Sequence, residues 1–316
     1  MGSAAERQSR SGLPAPAYQP IVDNRSAGER PGPLRVTLLN ARGGGQLDGI
    51  AACLAQPPLN QSSIIMLCEA DWRSIRARGR EMPRELAARL GMSLVYLPQF
   101  ACRPMHGSEG ASTGNAVLSV TPFDEIRAVP VHNPKVGNRG YRRTLRAGRP
   151  AGIVARARHR GHLLTIGVAH LASDSDPGGR EQQMLSYLSE FPKSGPAVFG
   201  GDLNTTTTEL LTGDAVLRTC ATMLINPGRF RRPAPYEPLF EHLERAGLDI
   251  SQVNAIGKST FTFSGIIPPF LRPKLDWLAI RGLRAIPSSA RVIAARPSLF
   301  SSRVSDHDFV TVEIDL

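Results

Sequence analysis

"FGGDLNTTTTE", Phe199–Glu209, is the stretch whose reading decides the rest. An apolar run, "GPAVF", leads into two glycines, then an acid, a spacer and an amide. A strand places residues i and i+2 on one face, so Asp202 and Asn204 point the same way just beyond a strand end. Gly200 and Gly201 lack a Cβ and let another group approach the backbone closely. The stretch reads as the floor of a site. It reads equally as a plain turn, because Gly, Asp and Asn are the commonest turn residues.

Composition narrows the classes. The chain has 316 residues, 41% hydrophobic, which suffices for one large domain. A net charge of +11 and a pI of about 10.2 point toward polyanionic or phosphorylated partners. A GC-rich coding bias gives the same composition, since only four of the 38 basic residues are Lys. Ten basic residues, Arg127, Lys135, Arg139, Arg142, Arg143, Arg146, Arg149, Arg156, Arg158 and Arg160, lie in a segment without Asp or Glu. That block is either a solvated face or a phosphate-facing surface, with Arg142 and Arg143 as candidate substrate contacts. The four cysteines form no C-x-x-C, and Cys68 lies in an apolar run, which fits reduced thiols in the cytoplasm. No apolar run reaches membrane-spanning length and no signal-peptide pattern opens the chain. An interfacial membrane contact stays open.

Residues 1–33, rich in Ser, Arg, Pro and Gly, read as a disordered leader, and 34–316 as a single domain. "LRVTLLN", "SSIIMLCE", "MSLVYLP", "GNAVLSV", "GPAVFGGD", "KLDWLAI" and "DFVTVEIDL" read as strands. "GQLDGIAACLA", "PRELAARLG", "REQQMLSYLSEF" and "YEPLFEHLERAGL" read as helices. "AGIVARARHRGHLLTIGVAHL" reads as a hairpin turning at Arg160-Gly161. Alternating helices and strands around a central hairpin predict two mixed sheets packed face to face, helices outside.

Polar residues recur where buried strands begin or end: Asn40, Glu69, Asn115, His170, Asp202, Asn204, Asp276, Asp306 and His307. Ligands gather where strand ends meet loops. Glu69 and Asp306 supply carboxylate oxygens and Asn40 an amide oxygen, a set suited to Mg²⁺ or Mn²⁺ rather than zinc. His170 and His307 can donate to phosphoryl oxygens or move protons near neutral pH. Asp276 can fix the tautomer of His307, and Asp202 with Asn204 can hold a water. The ensemble reads as metal-assisted attack of water on phosphorus.

The ordered set "LLN", "CEAD", "GNAVLS", "VAHL", "GGDLN", "KLDW", "SDHD" resembles the endonuclease/exonuclease/phosphatase superfamily, the group of pancreatic deoxyribonuclease I, over about residues 34–316. The resemblance implies a four-layer α/β/β/α sandwich. It implies Glu69 as main metal ligand with Asn40 and Asp306 nearby, and Asp202 and Asn204 positioning water and phosphate. It implies His307, paired with Asp276, as base or phosphoryl stabiliser, and His170 at the phosphate or the leaving group. Asn115 would contact substrate. Arg180 and Gln183, opening the helix after His170, either reach the site or form a structural face.

Substrate is less legible. A nuclease fits the basic block. "FTF" at Phe261–Phe263 departs from the tryptophan-rich signature of abasic-site enzymes. A phosphatase or phospholipase C-like enzyme fits the apolar, proline-rich "SGIIPPFLRPK", Ser264–Lys274, although "KLDW" lacks the cysteine-aspartate-arginine run of the 5-phosphatases. A non-catalytic phosphate binder is the third reading. A monomer acting on a phosphate ester, with nucleic acid as one candidate partner, is expected.

Overall fold

Strand β2 (Leu34–Asn40) shows how the layers arise. Val36 and Leu38 enter one core and Leu39 the opposite one, the two-residue period of a strand buried on both faces. A computed structural model describes residues 13–25, 28–106, 109–133, 147–173, 175–206, 217–218, 221–222, 224–262 and 271–316.

The first sheet runs β1 (Ile21–Asp23), β4 (Ser93–Ala101), β5 (Ser112–Ser119), β3 (Ile64–Trp72), β2, β13 (Phe309–Asp315) and β11 (Arg284–Ala285), with β12 (Arg291–Ile293) also on β13. The second runs β10 (Asp276–Arg281), β9 (Ala197–Asp202), β8 (His162–His170), β7 (Ala151–His159) and β6 (Phe123–Pro130). The pairs β2–β3 and β8–β9 are parallel and the others antiparallel, so both sheets are mixed.

Between the sheets, Val36, Leu38, Met66 and Val310 meet Ile153, Ile166, Val198 and Leu278. Helices α1 (Leu47–Leu54) and α2 (Met82–Leu90) cover the outer face of the first sheet through Ile50, Leu54 and Leu86. Gly91, left-handed at φ 67°, ends α2. Helices α3 (Pro177–Glu190) and α5 (Leu239–Arg245) cover the second sheet through Met184, Tyr187 and Leu243, with the short α4 (Gly228–Arg231) between them in sequence. The result is the expected four-layer α/β/β/α sandwich.

The leader gives one correction. Residues 1–33 were expected to be disordered, yet Ile21–Asp23 pairs antiparallel with Leu94–Tyr96 and covers the edge of the first sheet. An unpaired strand edge is a template for added strands, and three leader residues suffice to occupy it. The two glycines of "FGGD" answer to packing. A Cβ on Gly200 would stand 2.7 Å from Met66 Sδ, and one on Gly201 1.8 Å from the Ala169 carbonyl oxygen. What approaches these glycines is the neighbouring strand and the core.

Two outcomes follow from this packing. Gly201→Ala drives a methyl into a backbone carbonyl that cannot yield, so urea unfolding should show a loss of at least ~2 kcal/mol. An unchanged midpoint would contradict that contact. His159 lies buried at the hairpin end, its Nε2 3.3 Å from Ser119 Oγ and 3.2 Å from Thr121 Oγ1. Burial pushes its imidazole down from 6.5 to about 4. The unfolded chain therefore takes up this proton first, and the stability held above pH 6.5 is lost as pH falls through 4. His159→Gln should flatten that acid limb; equal pH slopes in both proteins would refute the assignment.

Candidate active site

The register of the second sheet lines up three functional side chains. Asp202, at the end of β9, is the cross-strand partner of Asp276 on β10 and of His170 on β8. The first sheet supplies Asn40 at the end of β2 and Glu69 in β3, and the loop before β13 supplies Asp306 and His307. Strand β3 does not stop at Glu69, as its sequence suggests. It bulges between Leu67 and Ala70 and runs on to Trp72. Glu69 sits in that bulge at φ 50°, and Asn204 at φ 49°. Left-handed non-glycine residues cost on the order of 1–3 kcal/mol and cluster where a side chain must be re-aimed.

Asp202 is the hub. Its Oδ2 accepts from Asn40 Nδ2 at 2.8 Å and its Oδ1 from the Asn204 backbone N–H at 3.0 Å. His170 Nε2 stands 3.6 Å and His307 Nε2 3.7 Å from the same Oδ2. Burial raises the Asp202 carboxyl above its ordinary range, against the pull of His307. His307 Nδ1 meets Asp276 Oδ2 at 2.8 Å. Burial alone would press this imidazole down; the carboxylates of Asp276 and Asp202 prevail and push it up to about 10. Asn204 Nδ2 donates to the Leu171 carbonyl at 2.8 Å, which fixes the turn.

Backbone bonds lock the loop that carries His307. Ser305 Oγ donates to the Asn40 carbonyl at 2.7 Å and accepts the His307 N–H at 3.1 Å. Thr260 Oγ1 accepts the N–H groups of Leu275 and Asp276 at 2.9 and 3.0 Å, and its carbonyl accepts the Asp308 N–H at 2.7 Å. Phe261 lays its ring edge-on to His307, centroids 4.9 Å apart. Lys274 is buried over the Trp277 ring at 4.5 Å, its ammonium without a hydrogen-bond partner among the described residues and pushed down to about 8 by burial. The supporting contacts of Ser305, Thr260, Phe261 and Lys274 escape sequence reading: only contact across the chain reveals them.

The donor set fits a hard divalent cation. Glu69 and Asp306 are half-buried carboxylates, and among the described residues the buried Oδ1 atoms of Asn115 and Asp276 lack hydrogen-bond partners, the condition a cation or water relieves. Asp202, Asp276 and His307 also present ligand atoms within 4.8 Å of one another. Within that trio His307 Nδ1 meets Asp276 Oδ2 at 2.8 Å, while His307 Nε2 stands 3.7 Å from Asp202 Oδ2. Asn40 departs from expectation: its Oδ1 accepts the Arg42 N–H at 2.9 Å, while Nδ2 spans Asp202 and, at 3.3 Å, Glu69 Oε1. It ties the two acids together through its amide nitrogen.

Other expected contacts fall elsewhere. Arg180 is fully buried, bonded through Nε and Nη2 to Glu237 at 3.0 and 2.6 Å and through Nη1 to the Ser175 carbonyl. It anchors α3. Gln183 bonds the Ala172 N–H and the His132 carbonyl. Asn115 is fully buried between the sheets, donating to the Ala151 carbonyl at 3.2 Å, so it underlies the site without opening onto it. Within the basic block, Arg156 pairs with Glu125, Arg158 with Asp124, Arg127 with the Glu190 carbonyl, Arg160 with the Gly32 carbonyl, and Arg149 lies over Tyr18. Arg160 lies in the turn before β8, and the eight steps from His162 to His170 along that strand span about 26 Å at 3.3 Å per residue. Arg142 and Arg143 lie outside the described residues.

A model of the "Endonuclease/Exonuclease/phosphatase family" matches residues 38–307. The chain belongs to this family. No curated protein matches it. Solved structures similar to it include an endonuclease/exonuclease/phosphatase from Beutenbergia cavernae, at 18% identity and TM-score 0.61 over 90% of this chain and 71% of that one. D. rerio TDP2 complexed with single strand DNA product is 14% identical, TM-score 0.55, over 90% and 99%. An AP endonuclease from Archaeoglobus fulgidus is 13% identical, TM-score 0.54, over 90% and 100%. At these identities the likeness establishes the family fold.

The buried Arg180–Glu237 pair can be checked directly. Arg180→Met removes the cation bonded to the buried Glu237 carboxylate and should cost about 3–5 kcal/mol in denaturant unfolding, while adding Glu237→Leu should restore most of it. A stable Arg180→Met protein with weakened substrate affinity would return Arg180 to the site.

Proposed function

We propose that the chain is a divalent-metal-dependent phosphoesterase of nuclease type, directing water onto phosphorus. The observation that carries this is the in-register row Asp276–Asp202–His170 facing His307 across the sandwich. Glu69 and Asp306 would hold Mg²⁺ or Mn²⁺. Bound there, such a cation neutralises charge on the phosphoryl group and its leaving oxygen. His307 Nε2 donates to a phosphoryl oxygen while Asp276 holds its Nδ1, so the ring cannot rotate away. Asp202, fixed by Asn40 and by the Asn204 turn, orients the attacking water and accepts its proton as the new P–O bond forms. His170 returns a proton to the departing oxygen as the old P–O bond breaks.

Nuclease type is favoured by the net charge of +11 and by exposed arginines at the site rim, Arg42 and Arg76. The neighbours titled for a DNA product and an AP endonuclease agree with that reading. The lipid reading rests on Ser264–Lys274, of which 264–270 lie outside the described residues and Lys274 is buried. Among the described residues no helix is long and apolar enough to cross a membrane. Free thiols at Cys53, Cys68 and Cys102 agree with a reducing compartment, and we place the chain in the cytoplasm as a monomer.

The test is a hydrolysis panel with Mg²⁺, Mn²⁺ or EDTA on single-stranded DNA, RNA, bis-p-nitrophenyl phosphate and phosphoinositide micelles. Metal-dependent nucleic-acid cleavage is expected, with kcat/KM falling at least ~10²–10³-fold in Glu69→Ala and His307→Gln. Turnover of lipid alone, or full activity in EDTA, would sink the proposal.

A further inference from the structure

Leu299 and Phe300 stand at the tip of a turn, 83% and 99% exposed. Single exposed apolar residues are ordinary on a protein surface, but these two are adjacent and rigidly held. The Ser298 N–H donates to Ser301 Oγ at 2.7 Å, and the Ser301 N–H returns to the Ser298 carbonyl at 3.2 Å. Arg296 Nη1 donates to the Leu299 carbonyl at 3.4 Å. At the root of the turn the Val304 N–H bonds the Ala295 carbonyl at 2.8 Å. Gln56, just past the end of α1, donates from Nε2 to the Pro297 carbonyl at 2.7 Å. From Arg291 to Ser305 the chain carries three arginines and no acid. Asp308 takes up Arg303, while Arg291 and Arg296 have no ion pair among the described residues.

The opposite chemistry lies on the other outer layer. A groove of about 770 Å³ runs between α5 and the segment that follows it, with Tyr236, Phe240 and Ile250 in its walls. Glu241, Glu244 and Asp249 charge it, and among the described residues no Lys or Arg lines it, in a chain whose net charge is +11. Glu241 shares Arg245 at 3.0 Å, whereas Glu244 has no ion pair among the described residues. The turn is rooted beside α1 on the first sheet, and α5 covers the second. Both sheets stand between tip and groove, so a chain cannot fill its own groove with its own tip.

We propose that the Leu299–Phe300 tip of one copy docks in the α5 groove of a second copy of this chain. The two apolar side chains meet the aromatic walls, and the basic flank of the turn meets the acidic rim. A turn already held by its own hydrogen bonds gives up little conformational freedom on docking. The contact joins two different patches, so each added copy still offers a free tip at one end and a free groove at the other. Copies therefore add head to tail. One turn in one groove is a small contact of the transient class, and the monomer placed above is the dilute state. Neither patch contains a residue of the Asp276–Asp202–His170 row, so every copy keeps its own site.

Sedimentation velocity from micromolar to near-millimolar protein tests this. The mass of wild type should grow with concentration beyond that of one chain. Phe300→Ser, and Glu241→Lys combined with Glu244→Lys, should each weaken association about tenfold or more. All three side chains are exposed, so the fold does not depend on them, and an unchanged thermal midpoint checks this. The two variants are then mixed in equal amounts. One keeps its groove and the other its tip, so the mixture should form pairs and nothing larger. A wild type that stays a single chain at every concentration would overturn the proposal, as would a mixture no heavier than its parts. A groove variant that associates as wild type does would mean tip-to-tip pairing and end the assignment. If wild type stays single but sediments with phosphatidylglycerol vesicles, and Phe300→Ser does not, a lipid surface covers the tip and the second copy is ruled out.

Discussion

A carboxylate taken out of water must find partners, and Asp202 is almost entirely out of water. Its two oxygens meet Asn40 from the first sheet and the Asn204 backbone from its own turn, with His170 and His307 at the next distance out. Satisfying this one group draws together the ends of β2, β8 and β9 and the loop before β13. Asp276 completes the arrangement by holding the far nitrogen of His307. Two buried acids and one buried base form a set in which none is stable without the others. The site is thus part of what joins the two sheets at this end of the sandwich.

The layers make that convergence possible. Strands that bury both faces leave polar groups only at their ends, and the face-to-face stacking brings the ends of one sheet over those of the other. Register then sets the height: Asp276, Asp202 and His170 form one row because Gly201 lets the Ala169 carbonyl come close. The bulge at Glu69 breaks the alternation of β3 beside Asn40. Strain concentrates there, at Arg42, Glu69 and Asn204, three non-glycine residues with positive φ around one site.

Much of this was legible in the chain. The apolar and β-branched content of "LRVTLLN" and the Pro and Gly punctuation of "PRELAARLG" identified strand and helix, because those signals are local. Polar residues next to apolar runs drew attention to Glu69, Asp202, Asp276 and His307, although β3 runs past Glu69 to Trp72. Long-range pairing was not legible. Nothing local tells that Arg180 meets Glu237, that Asn115 faces Ala151, or that the described arginines of the basic block are occupied by carboxylates, carbonyls and a tyrosine ring. Strand β6 was invisible because an edge strand with exposed Asp124, Glu125 and Arg127 lacks the apolar run that betrays a buried one. The orientation of Asn40 turned on a backbone N–H two residues away.

The central claim is a division of labour: Glu69 and Asp306 hold the cation, and the chain Asp276–His307–Asp202 handles phosphate and proton. Anomalous diffraction from crystals soaked in Mn²⁺ tests it most directly. The account predicts a manganese peak on the Glu69 carboxylate, with the Asp276–His307 hydrogen bond intact. A peak between Asp202, Asp276 and His307, with that bond broken and Glu69 bare, would contradict it.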